Sequence, residues 1–471
     1  MTFTITPASL DAYKLLHNGI LALSDAEISG VCVDVDYCKS KIIHLDKQKN
    51  RCERKFEESK FVQDWKKRYG LKFNMNSNTQ LGCMLFDVYK FKSYKKTKTG
   101  KPSTDEEALQ QIDLPAIQHL LRMKKIKKNK DYLLGFLREQ VNGVINPFFN
   151  LHNVITYRSS MDSPNLQNIP ARDFEAMEIV RKAIIPRKGH QLRAFDFSGI
   201  EVAIAACYHK DRTMLKYLRT PGSDMHGDVA KQLFKIKDFN TKAFKEHDFL
   251  RKATKNSFVF PQFYGDYYKT NAIGLAYTWG GLPRLDPDEK WGEGKGCDMP
   301  GSRKLSDHLN DVGLTSLQAL ENHVQTVEED FWKNRFYEYA QWKLNILKEY
   351  QENGYITSLT GFKYSGIMRK NEVINYPVQG SAFHCLLWSF IQVNKVLKQK
   401  KMDTRLVLQI HDEMVFDQNP DEHDYITEII YNVTYKLLPE MWKWIIVPLE
   451  IEEEICPIDG SWNLKKKIKK K

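Results

Sequence analysis

The chain has 471 residues, 42% of them hydrophobic, which is too long for one compact core and predicts two or three subdomains. Lys and Arg (71) outnumber Asp and Glu (59), so the net charge of +12 favours a polyanionic partner, nucleic acid ahead of an anionic membrane. No apolar run of about eighteen residues or secretory pattern is present, and the eight cysteines form no Cys-x-x-Cys pair. We therefore expect an intracellular protein with reduced thiols, no membrane span and no zinc knuckle.

The N-terminal part of the chain predicts helices and two basic runs. Residues 10–28 place apolar side chains on one helical face, and Gly30 follows as a stop. Either basic run alone is typical of a solvated face, whereas two in one segment favour a surface that follows a nucleic-acid backbone. The runs contain Lys92, Lys95, Lys96, Lys98 and Lys101, then Lys124, Lys125, Lys127, Lys128 and Lys130.

Two later segments predict strands that end in acids. Residues 191–196 read as a strand ending in Asp196, and residues 406–417 read as a hairpin with His411, Asp412 and Glu413 at its turn. A long, mostly helical block separates them. Within it, residues 279–301 are rich in Gly, Pro and charge and predict an inserted loop. The basic end of the chain, Lys465 to Lys471, predicts a disordered tail.

Asp196 and the Asp412–Glu413 pair are candidate metal ligands. Carboxylates from adjacent strands can hold two Mg²⁺ ions about 4 Å apart, which stabilise the attacking and leaving oxygens of a displacement at phosphorus. On these residues alone, two unrelated surface turns remain the alternative.

Two further patterns fit a nucleotide and a duplex. Arg251 and Lys255 share one helical face, which suits a triphosphate but is also common in ordinary basic helices. Residues 156–170 and 375–382 carry Arg, Asn and Gln side chains that can reach minor-groove acceptors. A polar turn is the alternative for each of these two segments.

Taken in order, these segments resemble the motifs of the family A DNA polymerases. Thr156–Pro170 resembles the minor-groove motif, Asp196–Glu201 motif A, and Arg251–Gly265 motif B. Asn375–Ala382 resembles the segment after the fingers, and Gln409–Glu413 resembles motif C. Five matches in the right order over about three hundred residues make chance resemblance improbable.

The resemblance implies a role for each matching residue. Asp196, Asp412 and the main-chain carbonyl of Phe197 would hold two Mg²⁺ ions, for which Mn²⁺ could substitute, with Glu413 near the primer end. Glu201 would pack under the sugar and exclude a 2′-hydroxyl. Catalytic Lys255 would contact the incoming phosphates together with Arg251 and His226, and the downstream aromatic would be Phe263 or Tyr264. The expected DNA contacts are Arg158, Asn165, Gln167, Asn375, Gln379 and His411.

The implied fold is α/β (α+β), a right-hand polymerase with an antiparallel palm sheet, helical fingers and a helical thumb. The expected thumb spans 1–145, including a linker helix, and the first part of the palm spans 146–207. The fingers would span 208–372, with an insertion at about 270–315, and 373–471 would complete the palm and carry the basic tail. These regions fill the chain, so no 3′–5′ exonuclease domain is expected.

The implied function is template-directed addition of deoxynucleotides to a primer 3′ end, without proofreading. The expected partners are primer–template DNA and deoxynucleoside triphosphates, with a separate exonuclease or replisome proteins, and no membrane. A cytoplasmic monomer of a bacterial or phage-infected cell is expected, with an organelle left open. A single-subunit RNA polymerase and a catalytically silent DNA-binding replisome protein are the alternatives.

Several positions depart from the family pattern. Gly199 stands where Gln is usual, and Ala203 stands where Arg is usual. Motif B is one residue longer after Lys255, so Val259 occupies the place of the base-stacking aromatic and leaves that role to Phe258 or Phe260. Pro261 predicts a kink or bulge in this helix. The sequence predicts no role for the insertion.

Overall fold

The computed structural model describes residues 9–93, 95–97, 99–170 and 173–468. Its mixture of helices and antiparallel sheets confirms the predicted α/β class. Among the described residues, no helix combines the length and apolar character needed to cross a membrane.

The first part of the chain is mainly helical, and its first helix confirms the predicted one. Ser9 caps that helix, and Gly30 ends it with a φ of 64°, in the left-handed region that favours glycine. The elements are α1 (Leu10–Ser29), β1 (Val31–Val33), α2 (Val35–Glu57), α3 (Lys60–Tyr69), α4 (Asn78–Gly82), α5 (Glu106–Gln110) and α6 (Pro115–Glu139). We call residues 35–139 the N-terminal arm. Its outer part has a hydrophobic cluster of its own, which includes Phe56, Trp65, Met84 and Ile117.

Short strands and the first long strand follow the arm. They are β2 (Val144–Ile145), β3 (Phe148–Asn150), β4 (Ser160–Asp162), α7 (Phe174–Arg181), β5 (Ile184–Ile185) and β6 (Gln191–Phe197). The strand β6 confirms the predicted strand at residues 191–196.

A helical block, residues 200–353, comes next. Its elements are α8 (Ile200–His209), α9 (Arg212–Arg219), α10 (Met225–Leu233), α11 (Lys245–Thr254), α12 (Phe260–Phe263), α13 (Tyr268–Ile273), β7 (Asp298–Met299), β8 (Arg303–Lys304), α14 (Leu305–Asp311), α15 (Leu317–Asp330) and α16 (Tyr337–Asn353). Most of the loop predicted at residues 279–301 is present as residues 280–297, but Trp279 belongs to the preceding helical turn and β7 begins at Asp298.

The last part of the chain returns to the sheet. It contains β9 (Tyr355–Thr357), β10 (Lys363–Ser365), α17 (Lys370–Gln399), β11 (Arg405–Ile410), β12 (Glu413–Gln418), α18 (His423–Tyr431), α19 (Leu438–Met441), β13 (Ile451–Ile455) and β14 (Lys466–Lys467). The strands β11 and β12 form the predicted hairpin, and α1 and α17 pack on each other beside β11.

The central sheet has the strand order β11–β12–β6–β13–β14, and every neighbouring pair is antiparallel. The strand β6 lies in the middle, and six of its seven residues are buried. Asp196 is the partly exposed residue, and its register partners are Glu413 on β12 and Glu452 on β13. The pairing therefore gathers three carboxylate residues at one end of the sheet.

The helix that contains motif B has the predicted bulge. After α11, residues 255–259 form a wider π turn before the chain resumes an α-helix at Phe260. Pro261 has no N–H to donate to the preceding turn, and a π turn accommodates one extra residue within a helix. The π turn therefore accommodates both Pro261 and the additional residue of this motif, and the helix continues after it.

The predicted disorder of the C-terminal tail is wrong for residues 465–468. Lys466 and Lys467 form β14 on the edge of β13, and the side chain of Lys465 is only 10% exposed. The tail is ordered because the β13 edge offers main-chain partners and because Lys465 finds two carboxylates. Residues Lys469, Lys470 and Lys471 lie outside the described residues.

Several lysines of the two basic runs are held by the chain's own acids. Lys95 pairs with Asp105 at 2.8 Å and Glu107 at 2.5 Å. Lys125 lies 2.9 Å from Asp173, and Lys130 lies 2.6 Å from Asp46. These three cations therefore help to fix the arm, which the sequence did not indicate. Lys98 lies outside the described residues.

Arg193 joins the central sheet to α18 from a fully buried position. Its guanidinium donates to Glu453 at 2.6 Å, to the Gln418 amide at 2.9 Å and to the Thr427 hydroxyl at 2.5 Å. A buried guanidinium is stable only when it is paired and hydrogen-bonded in this way.

We expect Arg193→Met to lower the free energy of unfolding by about 3–5 kcal/mol, because Glu453 and its neighbours lose their charged partner in a buried site. Urea unfolding followed by circular dichroism measures this. Arg212→Met is the matched control, because that side chain is 92% exposed in its pair with Glu338, and its urea midpoint should not move. Equal urea midpoints for the two variants would show that Arg193 does not stabilise the contact between the central sheet and α18.

Candidate active site

The acidic end of the central sheet brings the predicted metal ligands together. Asp196 is the penultimate residue of β6, and Asp412 lies in the turn between β11 and β12. The N–H of Phe197 donates to the carbonyl of Asp412 at 3.0 Å, so the two segments adjoin directly. His411, in the same turn, has a φ of 52°, an unusual value for a residue other than glycine. The tight turn is what places Asp412 beside β6.

The carboxylates of this cluster are partly buried and repel one another. The pKa of Asp196 is raised to about 7, mainly by burial and also by the charges of Glu413, Asp412 and Glu452. The pKa of Asp412 is also raised, to about 6, because burial outweighs the opposing charge of Arg158 and the Glu201 charge adds to the rise. Because each raised pKa marks a carboxylate whose charge is disfavoured, this end of the sheet would be stabilised by added positive charge.

Lysines of the C-terminal segment supply part of that positive charge. The Lys465 ammonium lies 2.5 Å from Glu413 and 2.6 Å from Glu454, and Lys467 lies 2.6 Å from Glu452. Lys465 also opposes the rise in the pKa of Asp196. Sequence reasoning missed these lysines because it assigned residues 465–471 to a disordered tail. Their position 50 residues beyond motif C gave no signal that they approach it.

A cationic group on the motif B helix contacts the start of α10. The guanidinium of Arg251 donates to both carboxylate oxygens of Asp224, at 2.8 and 2.7 Å, and Asp224 also caps α10. The pKa of His226 is lowered to about 4, mainly by burial and also by the charges of Arg251 and Lys255. His226 is therefore neutral at physiological pH.

The π turn decides which aromatic ring joins this group. Phe258 and Val259 are fully buried, whereas Phe260 is only partly buried and lines a pocket with Glu201 and Tyr264. The Lys255 ammonium lies 5.0 Å from the centre of the Phe260 ring, and the His226 ring lies 5.7 Å from it. Of the two candidates for the stacking position, Phe260 faces the pocket.

The two downstream aromatic candidates have different surroundings. Phe263 is 5% exposed and packs among Phe331, Trp332, Phe336 and Tyr339, although it also borders the pocket. Tyr264 is 38% exposed, and its hydroxyl donates to Glu201. The structure therefore places Tyr264 at the mouth of the pocket and most of Phe263 in the core.

Glu201 is held from two sides. Besides the bond from Tyr264, its carboxylate lies 3.3 Å from the guanidinium of Arg158. Asn375 donates to the carbonyl of Tyr264 at 3.4 Å, and both Asn375 and Gln379 line the pocket. Three segments that are distant in sequence thus converge around the residue predicted to select the sugar.

The predicted minor-groove segment docks on the hairpin of Asp412. The Gln167 amide donates to the side-chain oxygen of Gln409 at 3.1 Å and to the Ser159 hydroxyl at 3.0 Å. The side chain of Gln409 in turn donates to the carbonyl of His411 at 2.6 Å. Asn165 instead accepts a bond from the N–H of Asn168 and caps a short helical turn, while its side chain remains exposed.

Gly199 explains one departure from the family pattern. It begins α8 with a φ of 63° and ψ of 32°, a left-handed conformation that costs glycine little. No heavy atom lies within 4 Å of a Cβ added there, so the backbone conformation rather than crowding favours glycine.

The donor set at the acidic end fits Mg²⁺. Within the described residues, no three His, Cys, Asp or Glu side chains form a group that could hold a metal ion. An ion here would therefore rest on Asp196, Asp412 and the Phe197 carbonyl, with substrate and water oxygens completing its shell. Mg²⁺ is commonly bound in this manner, by one or two carboxylates and phosphate oxygens.

Comparisons with known proteins identify the family. The profile of DNA polymerase family A matches residues 43–277 and 313–460, and the chain therefore belongs to this family. The chain is 26% identical to DNA polymerase I of Chloroflexus aurantiacus over 97% of its length and 44% of that protein. For DNA polymerase I of Aquifex aeolicus the identity is 29%, over 91% of this chain and 64% of that protein.

A solved structure supports the fold. The POL domain of Pol1 from M. smegmatis, in complex with a DNA primer-template and dNTP, superposes with a TM-score of 0.71 at 24% identity. The superposition covers 95% of this chain and 70% of that one. The chain spans less than half the length of several curated relatives that it matches.

We expect Lys465→Met to increase the affinity of the acidic end for Mn²⁺, because Glu413 and Glu454 lose the cation that they share. Mn²⁺ binding to the protein without DNA, followed by electron paramagnetic resonance, measures this directly. Lys466→Met is the control, because Lys466 is an exposed neighbour for which the structure shows no ion pair. Identical Mn²⁺ affinities in the two variants would show that Lys465 does not balance this site.

Proposed function

We propose that the chain is a template-directed DNA polymerase that adds deoxynucleotides to a primer 3′ end by two-metal nucleotidyl transfer. The observation that carries this is the meeting of Asp196 and Asp412 at adjacent strand ends, beside a pocket with cations on its motif B side. We further propose that the central sheet acts as the palm, the helical block as the fingers and the N-terminal arm as the thumb.

The chain's own residues have separable roles in this mechanism. Bound Mg²⁺ would lower the charge on the reacting phosphate and promote attack by the primer hydroxyl. Asp196 and Asp412 hold their carboxylates where that charge develops. Arg251 and Lys255, with neutral His226, bind the triphosphate and offset the charge that grows on the leaving pyrophosphate. The Asp224 carboxylate orients Arg251 for this contact.

The duplex would be bound through the segments that dock on the hairpin. Arg158, Gln167, Gln379 and His411 offer groups to the minor groove, which every base pair presents with similar acceptors. Exposed Asn165 would extend this contact. Since minor-groove acceptors differ little between sequences, such contacts support binding of any correctly paired template.

The first test is primer extension with Asp196→Asn and Asp412→Asn. We expect each to reduce extension at least about a thousandfold, because the lost metal contacts are worth several kcal/mol in the transition state. Binding of primer–template, measured by fluorescence anisotropy, should change little.

Asp421→Asn is the matched control, since Asp421 is an exposed acid in the same C-terminal region. Primer extension by either variant at the wild-type rate would refute the assignment of Asp196 and Asp412 as metal ligands. A wild-type protein that binds DNA but never extends a primer would favour the silent DNA-binding alternative. A mismatched primer in the same assay reports any 3′–5′ trimming, an activity that the sequence does not predict for this chain.

Sugar choice separates the DNA polymerase from the RNA polymerase alternative. Glu201 is fixed by Tyr264 and Arg158 and would crowd a 2′-hydroxyl. We therefore expect Glu201→Ala to raise the use of ribonucleotides relative to deoxynucleotides in single-nucleotide addition. Efficient primer-independent use of ribonucleotides by the wild type would reverse the assignment.

Phe260 is predicted to stack on the incoming base. We expect Phe260→Ala to raise KM for the nucleotide by about tenfold, because stacking on an aromatic ring is worth about 1–3 kcal/mol per base. Phe258→Ala is the comparison, because that ring packs on Phe331 and its loss should lower stability instead. A larger effect on nucleotide KM from Phe258→Ala would show that Phe258, and not Phe260, occupies the stacking position.

A further inference from the structure

The insertion in the helical block touches the N-terminal arm. The family profile leaves out residues 278–312, so this segment lies outside the part of the chain that matches the family. Its Arg284 donates to Glu107 of α5 at 3.1 Å, and its Asp286 lies 3.1 Å from Lys92. These partners are 177 and 194 residues apart in the sequence.

The insertion is anchored firmly on the helical block. The Arg284 guanidinium lies 4.8 Å from the centre of the Tyr277 ring, and its side chain is only 11% exposed. The Gln318 N–H donates to the carbonyl of Pro287 at 2.7 Å, beside Asp286. Buried Trp291 donates its main-chain N–H to Thr315 at 3.2 Å. Arg284 and Asp286 are therefore presented from a fixed base.

The opposite side of the contact belongs to the segment predicted to grip DNA. Glu107 lies between two cations, because it also pairs with Lys95 at 2.5 Å. Both cations lower the pKa of Glu107, Lys95 more than Arg284, so this carboxylate is ionised at neutral pH. The contact is thus a chain of charges from Lys95 through Glu107 to Arg284, with Lys92–Asp286 beside it.

The strength of this contact suits an interaction that opens and closes. Lys92 and Asp286 are 56% and 70% exposed, and exposed ion pairs contribute little net stability and weaken with salt. No large apolar surface needs to separate when the arm leaves the insertion, since the outer arm has a hydrophobic cluster of its own.

We propose that the insertion and the arm residues Lys92, Lys95 and Glu107 form a clasp that closes the space between the arm and the helical block over a bound duplex and retains the DNA topologically. This rests on the proposed polymerase function. Because arm and helical block are both joined to the central sheet, the contact completes a closed loop of protein. A duplex in the cleft would then leave only by sliding off an end or by opening of the clasp.

The test links the clasp covalently. Lys92→Cys with Asp286→Cys is loaded on primed circular DNA, treated with a short bismaleimide and washed at high salt, which removes DNA bound only by charge. We expect the cross-linked protein to remain on the circle and to slide from the same DNA after linearisation. Each single cysteine variant, which carries the same native thiols, controls for other cross-links.

Loss of cross-linked protein from the circle as readily as from linear DNA would overturn the clasp. Cross-linking before DNA is added should block loading on circles, and unimpaired loading would overturn it equally. Extension of a short primer by the uncross-linked protein reports the polymerase separately, so failure of the clasp is distinguishable from failure of the proposed function.

Charge reversal provides an independent test. In the presence of a heparin trap, Asp286→Lys should shorten the primer-extension products by a factor of about two to five. The effect is modest because an exposed ion pair contributes little free energy to holding the clasp closed. Lys92→Glu in the same chain should restore their length. Asp288→Lys, at an exposed acid for which the structure shows no ion pair, is the control and should leave product length unchanged. Equal shortening by Asp286→Lys and Asp288→Lys would overturn the proposal.

Discussion

The antiparallel pairing of β6 with β12 concentrates negative charge, and the surrounding site is arranged around that charge. Register places Asp196 opposite Glu413, and the tight turn before β12 places Asp412 against Phe197. The charges of Glu413 and Asp412 raise the pKa of Asp196, so nearby positive charge stabilises the ionised form of this cluster. Part of that charge comes from the protein itself, through Lys465 and Lys467 on the sheet edge.

This distribution divides the acids into two groups. Glu413 and Glu452 each form an ion pair with a lysine. Asp412 belongs to the other group, because the cation that lowers its pKa, Arg158, forms its ion pair with Glu201. The division matches the proposed roles, in which Asp196 and Asp412 bind metal and Glu413 lies near the primer end. It also explains why Lys465 and Lys467 belong to the site although they follow motif C by about 50 positions in the sequence.

Local patterns predicted the elements of this fold well. The helix over residues 10–28, the strand ending in Asp196 and the hairpin around Asp412 depend on periodicity and turn residues within short windows, and all three are present. The bulge at Pro261 was predictable because proline removes a specific hydrogen bond. The order of Lys465 was not, because it depends on carboxylates from β12 and β13 that only the folded sheet brings near. The same holds for Lys95, Lys125 and Lys130, whose partners come from other parts of the arm or from the N-terminal cap of α7.

The π turn at residues 255–259 has a consequence for how relatives are aligned. One additional residue in a regular helix would rotate all later side chains by about 100° and carry Tyr264 away from Glu201. Here the rotation is taken up within a single wide turn, so Arg251 before it and Tyr264 after it both keep their partners. Counting positions from Lys255 therefore reaches Val259, one residue before the ring of Phe260 that faces the pocket. An alignment gap belongs inside this turn rather than after it.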